Sequence, residues 1–317
     1  MSTIKFILYL IYETYNEWSH DRAARLGAAL AYYALFSIAP LLVIMIAVAG
    51  SVYGQSAAEG QIVNVISDQI GPEAAVGVEQ LLAGIYETGS SLFTTLVSAI
   101  ILIYGATNLF SQLRDALNTM WNVRPKPRPH FFGGILEIAW DRFISVVMVI
   151  IVSIILLATL ALSVSLTALN GWLKTIITPN TSFLLESGNI ITGLGLTTFL
   201  FAITFKLLPD VKIAWRVVWV GALVTSILFN IGAFLLGLYF GYGYVQSLLG
   251  AAGSLVIIMI WISYSAQIIF FGAKFALVYG SAIGKPILPA SYAMSLRLSQ
   301  ADLHSQDSSE KETNPQD

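Results

Sequence analysis

Residues 217–273, VVWVGALVTSILFNIGAFLLGLYFGYGYVQSLLGAAGSLVIIMIWISYSAQIIFFGA, contain no charged side chain. Lipid offers the backbone no hydrogen-bonding partner, so an apolar run of this length reads as helix crossing a membrane. At ~1.5 Å per residue, about 20 residues cover the hydrocarbon core, and the run is too long for one crossing. Gly237, Gly241, Gly243, Gly250 and Gly253, with Tyr242, Tyr244, Gln246 and Ser247, mark a turn within it. The stretch therefore predicts a hairpin of two spans, near 217–238 and 252–273.

Further apolar runs lie near 28–50, 91–110, 144–166 and 189–208. The predicted fold is all-α: a polytopic membrane protein with six transmembrane helices, built from one membrane domain over residues 1–290. Residues 291–317 set Arg297 and Lys311 against Asp302, Asp307, Glu310, Glu312 and Asp317 and lose their apolar content. They predict a disordered, acidic cytoplasmic tail. The composition agrees, with 56% hydrophobic and 11% charged residues and a mean hydropathy of +0.77. A net charge of −2 gives no reason to expect a nucleic-acid partner. The absence of cysteine excludes disulfides, iron–sulfur clusters and thiolate zinc sites. Residues 1–10 are followed by Glu13, Glu17 and Asp21 without a small-residue cleavage site, so no cleaved signal peptide is expected.

The basic residues fix an orientation. All of the 16 except Lys174 fall before the first span, after the last, in alternate loops or, for Lys206, at the end of a span that borders such a loop. Positive charge favours the cytoplasmic side, which predicts both termini inside. Residues 51–90 then form an external loop, with Glu59, Asp68, Glu73, Glu79 and Glu87 and no basic residue. Ile62, Val65, Ile66 and Ile70, then Ala74, Val78, Leu81, Leu82 and Ile85, have helical spacing on either side of Gly71 and Pro72. Two amphipathic helices are expected there. Ile4, Ile7, Leu8 and Ile11, followed by Tyr12, Tyr15 and Trp18, predict an interfacial helix at the start. The basic stretch RPKPRPH at 124–130 would attract anionic lipid headgroups.

Polar groups within the spans are few. Lys206 and Lys274 lie near cytoplasmic ends and are expected to snorkel outward. No carboxylate sits near a midplane, so neither a proton relay nor a sodium site is built in. No metal site or cofactor is expected. Asn108, Asn230, Ser263 and Gln267 are candidate cavity-lining residues, with Asn230 and Gln267 facing one cavity across the hairpin; the plainer role is hydrogen bonding between helices. Pro40 should kink the first span, and Gly193 and Gly195 should loosen the fourth as a hinge. Ala233, Gly237 and Gly241 form a small-residue strip that suits helix packing and permits a homodimer. At the cytoplasmic face, Asp21 and Arg22 are expected to pair with Asp210 and Lys212, tying spans one and four together.

Residues 21–41, DRAARLGAALAYYALFSIAPL, resemble the opening signature of the YihY/BrkB family of bacterial inner-membrane proteins. Ala116, Leu117 and Asn118 with Trp121, then Leu208, Pro209 and Asp210 with Trp215, Gly221 and Ala222, follow in the family's order. So do Gly253, Ser254, Trp261, Gly272 and Ala273. The resemblance spans residues 5–285 and implies six spans in a bacterial inner membrane. Some members of the family carry a ribonuclease BN label, others a virulence-factor label, and it supplies no settled catalytic residues to carry over. Where the family's pattern has an acidic residue after Gly272 and Ala273, this chain has Lys274.

Three functions follow for comparison. The first is a transporter or exporter of a small or lipid-like solute. The second is a non-catalytic protein that organises lipid or envelope components. The third, a ribonuclease, needs convergent carboxylates or histidines. His20, His130 and His304 are far apart, and Asp115, Glu137 and Asp141 are scattered, so the chain is not expected to be an enzyme.

Overall fold

The computed structural model describes residues 3–36, 54–70, 72–87, 92–125, 182–241, 253–290 and 293–295. These are mostly helix: α1 (Thr3–His20), α2 (Ala23–Phe36), α3 (Gln55–Ile70), α4 (Pro72–Glu87), α5 (Leu92–Met120), α6 (Ser182–Leu207), α7 (Trp215–Gly241) and α8 (Gly253–Ala282). The span expected at 144–166, the kink at Pro40 and the hairpin turn at 242–252 lie outside the described residues.

Among the described residues, two helices are long and apolar enough to cross a membrane, Trp215–Tyr239 and Leu255–Ala282, each with a mean hydropathy of 2.0. They are the two predicted from the charge-free stretch. The first turns much of its apolar surface outward: Ile231, Phe234, Leu235 and Leu238 are all at least half exposed. A water-facing surface of that kind is unfavourable, and hydrocarbon is its natural surrounding.

Small residues set how closely α7 and α8 pack. A Cβ on Gly272 would stand 1.7 Å from the Thr225 hydroxyl, and one on Gly221 would meet the Ala276 methyl at 2.7 Å. Gly232 leaves room for the Tyr264 ring, whose hydroxyl donates to the Leu228 carbonyl at 3.2 Å. The packing seam is thus Gly221, Thr225 and Gly232 against Tyr264, Gly272 and Ala276. The expected strip is not that seam, since a Cβ on Gly237 would meet nothing within 4 Å. Gly193 and Gly195 also face open space, and α6 runs through them as continuous helix.

The helix pair predicted between residues 51 and 90 is present. α3 ends at Ile70 and α4 begins at Pro72; they lie against each other and pack on α7 and α8, and Ile62, Ala75 and Val78 are buried. α1 lies along α8, burying Leu10 and Thr14 while Ile4, Ile7, Leu8, Tyr12 and Tyr15 stay exposed. A tight turn joins α1 to α2, with Arg22 in the left-handed region at φ 53°.

The densest core sits at one end of the bundle. Leu117, Met120 and Trp121 of the α5 end meet Phe205 of α6, Val217 and Val218 of α7, and Phe270 and Ala273 of α8. The Trp121 indole N–H donates to the Ala273 carbonyl at 2.9 Å, and its ring stands edge-on to Phe205. Two short antiparallel ladders close this end. β1 (Val123–Pro125) pairs with β4 (Ala293–Ser295), and β2 (Val211–Lys212) pairs with β3 (Leu288–Pro289). They add minor strand content to the expected all-α fold. Residues 293–295, assigned from sequence to the tail, are therefore part of the folded unit, with Ala293 buried. Gly284, at φ 69°, supplies the left-handed residue that ends α8, and the Lys285 N–H returns to the Gly280 carbonyl at 2.8 Å.

Candidate functional site

Lys274 is fully buried on α8, facing the α1–α2 turn. Its ammonium pairs with the Asp21 carboxylate and lies 3.5 Å from Glu17 Oε2. This corrects the expectation that Lys274 snorkels to the surface. The turn after α1 brings two carboxylates to it instead, and a buried ammonium is tolerated when so paired. One turn away, the Trp18 indole N–H donates to the Gln267 carbonyl at 3.3 Å, and the ring meets Phe271 edge-on. Charge and ring together fasten α1 to α8.

Asp210 is the second buried charge. Arg114 Nη2 donates to its Oδ1 at 2.5 Å, and Asn118 Nδ2 donates to Oδ2 at 2.8 Å. The Asp210 backbone N–H returns to Asn118 Oδ1 at 2.9 Å, and its carbonyl accepts from the Ala290 N–H at 2.9 Å. One residue thereby joins α5, the α6–α7 loop and the segment after α8. The predicted cluster of Asp21, Arg22, Asp210 and Lys212 is corrected accordingly: Asp21 serves Lys274, Asp210 serves Arg114, and Arg22 and Lys212 point outward as exposed residues. Lys206 also stays local, donating to the Ile213 carbonyl at 2.7 Å with its ammonium 5.3 Å from the centre of the Trp215 ring.

Next to this charged end, α2, α5 and α8 line a half-open cavity of about 260 Å³. Leu30 and Ala34 line it from α2, Leu109, Phe110 and Leu113 from α5, and Ile262, Ser265, Ala266 and Ile269 from α8. Ser265 lies nine residues before Lys274, ~13 Å along the helix axis. Its buried Oγ has no hydrogen-bond partner among the described residues. Other helical hydroxyls fold back on the preceding turn: Thr14 to Leu10, Thr198 to Leu194, Thr225 to Gly221 and Ser281 to Leu277. Ser265 does not, and its oxygen is buried behind the apolar surface that lines the cavity.

The residues proposed from sequence as cavity-lining fall elsewhere. Asn230 Nδ2 donates to the Ser226 carbonyl at 2.8 Å and to Thr197 Oγ1 at 3.3 Å, with Ser226 and Thr197 also in hydroxyl contact. It therefore bridges α6 and α7. At ~100° per residue it is turned about 200° from Leu228 and Gly232, which face α8. Gln267 Nε2 donates to Ser263 Oγ at 3.4 Å, and its Cγ lies 3.0 Å from the Cβ position of Gly27. Both thus sit toward α2, so Asn230 and Gln267 do not share one cavity. Asn108 is half-buried on α5, next in sequence to the lining residue Leu109. Ser265 is not among the residues proposed from sequence. Nothing in its spacing distinguishes it from Ser263.

The family model described as "Virulence factor BrkB" matches residues 14–291. Among curated proteins, a "UPF0761 membrane protein" of Mannheimia succiniciproducens is 26% identical over 88% of this chain and 91% of its own length. One of Tolumonas auensis is 24% identical over 82% of each chain. A third, of Pseudomonas paraeruginosa, is 25% identical over 80% of this chain and 58% of its own. No solved structure matches the chain.

Proposed function

The chain belongs to the virulence factor BrkB family, and from that membership we propose that it is a six-span protein of the bacterial inner membrane that moves a small or lipid-like solute. The cavity between α2, α5 and α8 carries the reading, because a bundle built only for support would fill that volume with side chains. The exposed Arg22, Arg25, Arg124, Lys212, Arg216 and Lys285 gather at the end closed by the ladders. Their accumulation supports a cytoplasmic assignment for that end, with both termini inside and contact to anionic headgroups. The reading is non-enzymatic.

The natural absence of cysteine makes topology directly measurable. In intact spheroplasts, a membrane-impermeant maleimide should label Glu59→Cys at once and Lys285→Cys only after permeabilisation; the reverse order would invert the assignment. For movement, the protein is reconstituted into vesicles that carry lipids with a dithionite-reducible headgroup fluorophore. The expected result is reduction beyond the half reached in protein-free vesicles. Equal extents in this assay, together with an unchanged lipid and metabolite profile in deletion cells, would leave the second reading, lipid or envelope organisation without transport.

A further inference from the structure

We propose that two copies of this chain pair in the membrane through the outward face of α7, with Asn230 of one copy hydrogen-bonded to Asn230 of the other. The pairing goes beyond the transport reading and holds whether or not a solute moves. It begins with a polar group in the wrong solvent. Asn230 is exposed, and it lies ~5 Å along the axis from the middle of the membrane-length stretch Trp215–Tyr239. Hydrocarbon supplies no hydrogen-bonding partner at that depth. Asn230 Nδ2 donates to the Ser226 carbonyl and to Thr197 Oγ1, but no donor among the described residues reaches Oδ1. The unmet atom is an acceptor, so the ester carbonyls of a lipid, which only accept, do not satisfy it. A second carboxamide does, because it carries donor and acceptor side by side. The N–H to redirect is the one that reaches Thr197 at 3.3 Å. Thr197 keeps its bond to the Gly193 carbonyl at 3.0 Å and its contact with the Ser226 hydroxyl.

The residues around Asn230 fit a partner helix. Leu223, Ile227, Asn230, Phe234 and Gly237 follow at steps of four, three, four and three, the spacing by which one helix lies along another. The three apolar side chains are exposed, and a Cβ on Gly237 would meet nothing within 4 Å. This stripe is turned away from Thr225 and Gly232, which meet α8. The polar group, not the small residue, selects the occupant. A lone Asn in an apolar stripe of this spacing fixes register and partner number in paired helices. Two copies inserted in the same direction run their α7 helices parallel. A two-fold axis through the contact then sets each residue opposite itself, so Asn230, at the centre of the stripe, meets Asn230.

The test uses the full chain, whose lack of cysteine lets single cysteines report contacts. Ile227→Cys, Phe234→Cys and, on α8, the exposed Ile260→Cys are oxidised separately in native membranes. The first two should form disulfide-linked dimers, and Ile260→Cys should remain monomeric. Lys285→Cys protein carrying donor or acceptor dye is then reconstituted alone in liposomes, and energy transfer is followed as lipid is added. Asn230→Leu should raise the dissociation constant about ten-fold, the worth of a reciprocal pair of interhelical hydrogen bonds. Its size-exclusion profile checks folding. If it does not fold, the two seam cysteines, which leave Asn230 in place, still decide the matter. Crosslinks to a different protein, equal crosslinking at Ile260→Cys, or no energy transfer in liposomes would overturn the pair, the last leaving α7 faced by lipid. An unchanged dissociation constant in Asn230→Leu would overturn the role of the carboxamide.

Discussion

Lys274→Glu should abolish accumulation of the folded protein, or lower its stability by about 5 kcal/mol or more. Removing one partner from a buried ion pair costs about 3–5 kcal/mol, because the other charge is left in a poor solvent. Here the replacement also adds repulsion. It places a third carboxylate beside Asp21 and Glu17 at a position with no exposed surface. Near 4 Å, two like charges repel by roughly 4 kcal/mol at an effective dielectric of 20. A total stability of about 5–15 kcal/mol does not absorb both. Lys274→Met should be milder, since Glu17 and Asp21 remain partly exposed and can draw in water. The decisive variant is the swap Lys274→Glu with Asp21→Lys, which restores opposite charges across the same helix contact. Size-exclusion profiles of fluorescent fusions in detergent should show aggregate or no peak for the single variant and a recovered symmetric peak for the swap. A symmetric, wild-type peak for Lys274→Glu alone would show that the pairing does not hold α1 to α8.

Asp210→Ala is expected to cost about 3 kcal/mol, at the lower edge of the buried-pair range because Arg114 keeps some exposure. The loss is distributed. Arg114 loses its carboxylate, and the Asn118 amide loses its acceptor, although Asn118 Oδ1 still accepts from the backbone of residue 210. For a chain of this size, such a loss should lower the melting temperature by roughly 6–12 °C. Arg114→Ala and Asn118→Ala should each cost less than Asp210→Ala. Their combination with it should be far from additive, as in one shared network. Additive melting shifts in a double-mutant cycle would contradict a single cluster.

Local pattern was legible in the sequence, and partnership was not. The charge-free stretch gave α7 and α8, and Gly71 with Pro72 gave the break between α3 and α4, because periodicity and backbone chemistry act over a few residues. The predicted charge cluster was paired wrongly. Arg114 meets Asp210 across 96 positions in the chain, and Lys274 meets Glu17 across 257. Spacing carries no information at that range. Snorkelling was a fair inference for a lone lysine near a helix end; it failed at Lys274 because α1 folds back over the side chain and brings carboxylates with it. The cavity was hidden for a related reason. It arises where Leu30, Leu113 and Ile262 fail to fill the space between three helices, and that shortfall exists only once the helices are assembled.

The two ladders give synthesis a deadline. Val123 finds its partner only at Ser295, and Val211 finds its partner only at Pro289. At about 5–20 residues per second, the edge of β1 waits roughly 10–30 s after leaving the ribosome for the strand that covers it. The end of the bundle that holds most of the core is therefore finished last, by a dozen residues made after every described helix. A tag joined beyond Ser295 leaves this closing stitch in place, whereas a cut before Leu288 opens both seams in one stroke.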